Sequence, residues 1–153
     1  MPLTLEPLMT YHADLAPPAQ VGAGPFGFRS VFIVTGGTFE GPRLRGKLHP
    51  GGGDWLLVGP DGLGRLDVRA TFETHDGALF YLTYVGVVDF NERAQQAAAG
   101  GTPTAFGEVR FITEIRFETG DARYAWLNST MAVAEGRVLA GAVEYNVYEV
   151  RPS

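Results

Sequence analysis

The chain has 153 residues, 45% of them hydrophobic, and a formal net charge of −5. That length suits one domain able to bury ~70% of its unfolded surface, and the apolar share argues against disorder. The acidic balance argues against nucleic acid, which is bound through basic patches. The lack of cysteine removes disulfides, thiolate nucleophiles and cysteine-ligated zinc.

The first residues, Met1 to Pro7, have neither a basic nor an apolar targeting region. No apolar run approaches the ~20 residues of a membrane-spanning helix. The expectation is a cytoplasmic protein with no membrane partner.

Leu3 to Leu15 reads as a first strand, and the proline-bearing stretch 16–25 as a loop or edge segment. Phe28 to Thr35 carries a β-branched run and Gly36-Gly37 is read as turning it. Thr38 to Leu48 follows, bent at Gly41-Pro42, and then Trp55 to Val58, closed by Pro60-Asp61-Gly62. Gly64 to Thr74 alternates most clearly. Asp67, Arg69, Thr71 and Glu73 lie on one face, and Leu66, Val68, Ala70 and Phe72 on the other. Asp76-Gly77 predicts a hairpin into Ala78 to Val88.

The only helical signal follows. Asp89 stands as a cap with Glu92 three residues on, then an Ala/Gln-rich stretch stopped by Gly100-Gly101. It has few apolar residues, which predicts a mobile segment over a rim. Strands are predicted over Phe106 to Phe117, Tyr124 to Val133 and Val138 to Val150. Eight to ten strands with one short helix define an all-β protein, an antiparallel barrel or sandwich.

The motifs exclude more than they assign. Gly22 to Gly27 matches a dinucleotide fingerprint, but prolines precede it, Pro25 sits inside it and a strand follows it. No P-loop and no serine-hydrolase elbow is present. His12, His49 and His75 lack metal-ligand spacing, so no metal and no cofactor is expected. Asp67 and Arg69, two apart, read either as an exposed ion pair or as a ligand anchor inside a barrel. Tyr124, Trp126 and Asn128, taken as one strand face, read as a packed hairpin or as a pocket wall with a polar anchor.

Several blocks occur in order: Gly36-Gly37-Thr38-Phe39-Glu40-Gly41-Pro42, Pro50-Gly51-Gly52, Asp54-Trp55, Asp61-Gly62, Leu66-Asp67, Arg69, Asp76-Gly77, and Phe117-Glu118-Thr119 to Asn128. Together they resemble the domain of unknown function 3237, over nearly the whole chain. The resemblance implies a calycin- or lipocalin-like barrel, often oligomeric. Some relatives are associated with ring closure by oxygen addition to an activated alkene, without a redox cofactor. The chain departs from the usual pattern at Arg110 to Ile115, where Ile112 stands in place of a common arginine.

The combined expectation is a closed barrel with the helix near its mouth, binding a small apolar or aromatic molecule and forming a homo-oligomer. The first function expected is a lyase or isomerase. Arg69 and Tyr81 would be electrophilic donors and Asp54 and Glu118 bases. Trp55, Asp67, Tyr124, Trp126 and Asn128 would contact ligand. Rival readings are a non-catalytic carrier and a structural oligomer whose charged face is an interface. Asp54, Arg69 and Glu118 are expected to face one enclosed space.

Overall fold

The computed structural model describes residues 2–153. In chain order the elements are β1 (Leu3–Leu15), β2 (Ala19–Gly24), β3 (Gly27–Glu40), β4 (Arg45–Leu48), β5 (Gly53–Val58), β6 (Leu63–Thr74), β7 (Leu79–Asp89) and α1 (Glu92–Ala98). Then come β8 (Phe111–Glu118), a kinked 3-10 helix (Ala122–Ser129), β9 (Met131–Leu139) and β10 (Ala142–Pro152). All strand pairs are antiparallel, in the order β1-β10-β9-β8-β7-β6-β4-β3-β2. Pairing of β1 with β3 closes the wall into a barrel. Two wall positions are shared. The strands β4 and β5 follow one another between β3 and β6, and β2 continues along β3 beyond the end of β1.

The alternation of β6 sets the inside. Leu66, Val68, Ala70 and Phe72 are buried, and their polar neighbours face out. The interior is an aromatic ladder. Phe72 lies 5.1 Å from Phe39 and 5.2 Å from Phe80, and Phe80 lies 6.1 Å from Phe117. Gly136 makes room for this packing, since a Cβ there would sit 2.9 Å from ring atoms of Phe111.

Several elements differ from their sequence reading. Gly36-Gly37 does not end a strand, because β3 runs through it. Gly37 adopts φ +145° where β1 crosses closely, and a side chain there would strike the His12 carbonyl. Residues 122–129 are helical rather than extended, and they plug one end of the barrel with Tyr124 and Leu127 buried. The stretch 138–150 is broken by a turn at 140–141 into β9 and β10. Helix α1, at the opposite end, is capped by Asn91 and not by Asp89; the Asn91 side chain accepts from the Ala94 N–H at 3.0 Å. It is also better held than its composition suggests. Ala94 and Ala97 are fully buried, and Arg93 pairs with Glu108 at 2.7 Å.

Candidate functional site

The polar groups inside the barrel come from strands whose alternation looks apolar. In β5, Asp54 lies opposite Phe32 and Val68, both core-facing, so it points inward among them. The β5–β6 ladder is interrupted beside it. Asp54 Oδ1 accepts the Asp67 backbone N–H at 3.1 Å, and the Trp55 carbonyl accepts from Arg29 Nη1 at 2.7 Å. One row runs across the inner wall from Asp54 through Val68 to Tyr84.

Tyr84 belongs to a set of three buried phenols. Tyr11 and Tyr145 are direct cross-strand partners and stack at 4.8 Å. Tyr84 meets Tyr145 edge-on at 5.5 Å, and Phe111 meets it at 5.2 Å. Two interior hydroxyls, Tyr11 Oη and Thr113 Oγ1, have no hydrogen-bond partner among the described residues. A buried hydroxyl without a partner is costly, so these two leave hydrogen-bonding capacity unused inside the barrel, although the Tyr11 and Tyr84 hydroxyls lie near one another.

The electrostatics follow from burial. Loss of hydration, reinforced by the Asp67 charge, pushes the Asp54 carboxyl up to about 7 against the bonded Asp67 N–H and Arg29. Burial likewise raises the Tyr11, Tyr84 and Tyr145 phenols, and the nearby Asp54 charge raises them further. All three stay protonated at neutral pH and serve as donors. No Lys, Arg or His is buried among the described residues. The arrangement offers one carboxyl able to gain or lose a proton near neutrality, with neutral donors around it.

Of the residues singled out from sequence, the structure brings only Asp54 into this space. Asp67 and Arg69 face solvent on the outer wall, 51% and 54% exposed, as a loose pair at 3.5 Å. Trp55 is also outside, with the Arg69 guanidinium 5.8 Å from its ring. Tyr81 and Glu118 are neighbours across β7 and β8, but they line an open recess of about 470 Å³ on the outer wall. The expectation that Asp54, Arg69 and Glu118 share one enclosure is therefore corrected. Desolvating an ion pair costs more than exposing it, so the charged face of β6 turns outward.

Tyr124, Trp126 and Asn128 sit at the plugged end. The Tyr124 hydroxyl donates to Asp76 at 2.9 Å, and Arg43 stacks over Trp126 at 3.8 Å. Asn128 accepts from the Thr119 N–H at 2.7 Å and donates to its carbonyl at 3.0 Å, which fixes the turn rather than a ligand. Sequence reasoning missed Tyr11, Tyr84 and Thr113 and left the facing of Tyr145 open. The available signal was that Tyr11 and Tyr145 alternate with outward polar residues, whereas Tyr84 and Thr113 each have an exposed apolar neighbour, Val85 and Ile112.

A second recess, about 390 Å³, lies on the outer wall across β3, β1 and β10 and is bordered by Phe106. In it both ring nitrogens of His12 meet carboxylates, Glu144 at 2.8 Å and Asp14 at 2.9 Å, and Arg137 also binds Glu144. Burial opposes charge on His12, but these two hydrogen bonds outweigh it and raise the imidazole above its ordinary value.

A closed antiparallel barrel with an acidic carboxyl among interior phenols defines the structural class. The chain belongs to the family described as Protein of unknown function (DUF3237), whose model matches residues 3–150. It is 30% identical to a UPF0311 protein of Bradyrhizobium diazoefficiens over 143 residues, 94% of this chain and 93% of that one. Two crystal structures share its fold. A β-barrel-like protein of Acinetobacter baumannii has TM-score 0.83 and 36% identity, covering 99% of this chain and 98% of the other. A protein of unknown function from Rhodopseudomonas palustris has TM-score 0.89 and 28% identity, covering 97% and 98%. More distantly, the chain is 29% identical over 102 residues to a Penicillium roqueforti protein named for the PR-toxin biosynthesis cluster, covering 63% of this chain and 54% of that one.

Proposed function

We propose that the barrel interior is an acid–base site of a lyase or isomerase. It would add a hydroxyl or water across an activated alkene of a small conjugated molecule, or reverse that addition. The observation that carries this reading is the Asp54 carboxyl on the inner wall, in one row with Tyr84 and pushed up to about 7 by burial, beside a cluster of three buried phenols that stay protonated. A base poised near the working pH is the most effective proton carrier.

In such a reaction Asp54 takes the proton of the attacking hydroxyl as its oxygen bonds to the β-carbon. The electron pair of the alkene moves to the carbonyl oxygen, which becomes an enolate held by the tyrosine hydroxyls. The protonated Asp54 then returns its proton to the α-carbon. One O–H bond and one C=C π bond are lost, and one C–O and one C–H bond are formed. No electron leaves the substrate, so the step calls for no redox cofactor. The aromatic rings around the buried phenols suit a flat ring system, and the lack of buried cations among the described residues favours a neutral substrate. Similarity to a protein of a toxin-biosynthesis cluster supports a small-molecule substrate.

The test is solvent deuterium exchange at the α-carbon of hydroxylated, conjugated aromatic ketones, followed by NMR. The wild-type protein is expected to speed exchange, and Asp54→Asn to lose ~10²–10⁴-fold, the usual contribution of a general base. Undiminished exchange in Asp54→Asn would refute the assignment. Ligand binding without any exchange would favour a carrier.

A further inference from the structure

The outer wall of β6, β7, β8 and β9 carries a charge pattern that the interior site does not use. Register places Asp67, Val85 and Glu114 in one row across β6, β7 and β8. The adjacent row is Arg69, Thr83 and Arg116. Each row carries charges of one sign, and the two rows are opposite. Around them the wall exposes large apolar side chains: Val85 and Ile112 at 53% and Met131 at 57%, with Leu79 and Tyr81 beside them.

We propose that this wall is the interface of a two-fold dimer with a second copy of the same chain, its axis parallel to the rows and midway between them. Rotation about that axis lays the Asp67/Glu114 row of one copy over the Arg69/Arg116 row of the other, twice. An axis along the strands would stack like charges, so the pattern selects one docking geometry. It also sets Tyr81 of one copy over Val87 of the second, one strand away from Ile112.

The ion pairs within each strand leave these charges available. Arg69–Asp67 is 3.5 Å and Arg116–Glu114 3.7 Å, both exposed, and such pairs add little to stability. Four strands ~4.8 Å apart and five outward rows cover on the order of 500 Å² per copy. That is ~1,000 Å² in total, the lower limit of specific interfaces, as suits a weak and reversible dimer. The inference concerns the outer wall alone and stands apart from the chemistry proposed for the interior.

The experiment is a charge swap read by sedimentation or light scattering over a concentration series into the high-micromolar range. Wild type is expected to dimerise. Asp67→Arg/Glu114→Arg and Arg69→Glu/Arg116→Glu should each weaken the dimer at least tenfold. Their equimolar mixture should restore it, since every row then meets its opposite. The variant carrying all four changes should pair with itself and not with wild type. Circular dichroism checks that each variant is folded. A monomeric wild type, double variants that dimerise as well as wild type, or a mixture that stays monomeric would each overturn the proposal.

Discussion

Asp54→Asn should stabilise the fold at and above neutral pH while removing the proposed base. The carboxyl rises from 3.8 to about 7 on folding, chiefly through burial. Between those values the native state binds a proton that the unfolded chain has released, so stability falls as pH rises. The loss begins near the unfolded pKa and is complete above the folded one. About three pH units at 1.36 kcal/mol each set an upper bound of ~4 kcal/mol, and the residual solvent contact of Asp54 brings the expectation to roughly 2–4 kcal/mol. Asparagine keeps the acceptor for the Asp67 N–H and has no charge to desolvate. Urea denaturation of both proteins at pH 5 and pH 8 isolates this one group, because His12 titrates equally in each. The stability gap should widen in favour of the variant from pH 5 to pH 8. A gap that is constant with pH, or that narrows, would show that Asp54 ionises at least as freely as in the unfolded chain.

Two other perturbations probe the wall and its outer network. Gly136→Ala should cost about 1–3 kcal/mol, the usual penalty of overpacking, because the Phe111 ring already occupies the space; an unchanged melting temperature would refute this. The His12 imidazole should titrate above 6.5 by NMR, since two carboxylates hold its protons. Its contribution to stability is present below 6.5 and lost as pH rises through the folded pKa. It stays under ~1 kcal/mol because the side chain is partly solvated.

Much of the wall was legible in the sequence. Strands from Leu3 to Leu15, around Trp55, and from Gly64 through Val88 read correctly because turn residues bound them. Residues 122–129 did not, since the aromatics of Tyr124-Ala125-Trp126-Leu127 suit a strand as well as a capping turn. The site was legible only at Asp54. The clear alternation of β6 showed two faces but drew attention to the charged one, whereas burial belongs to the apolar one. Tyr11, Tyr84 and Tyr145 look like packing on any strand. Only closure of the barrel, which joins β1 to both β3 and β10, brings the three rings together.

That closure has a consequence for how the chain reaches its native state. The strand made first, β1, must wait for the strand made last, since Leu3 pairs with Pro152 and Asp14 with Ala142. At ~5–20 residues per second, one edge of β1 stays open for roughly 7–27 s of synthesis. Such long-range pairing also makes folding slow. Throughout that interval Leu8, Met9 and Tyr11, buried in the finished barrel, lie on an open strand edge. Held by β3 alone, β1 is a template for pairing with another chain. The step that completes the wall is therefore also the one that removes this template for pairing with another chain.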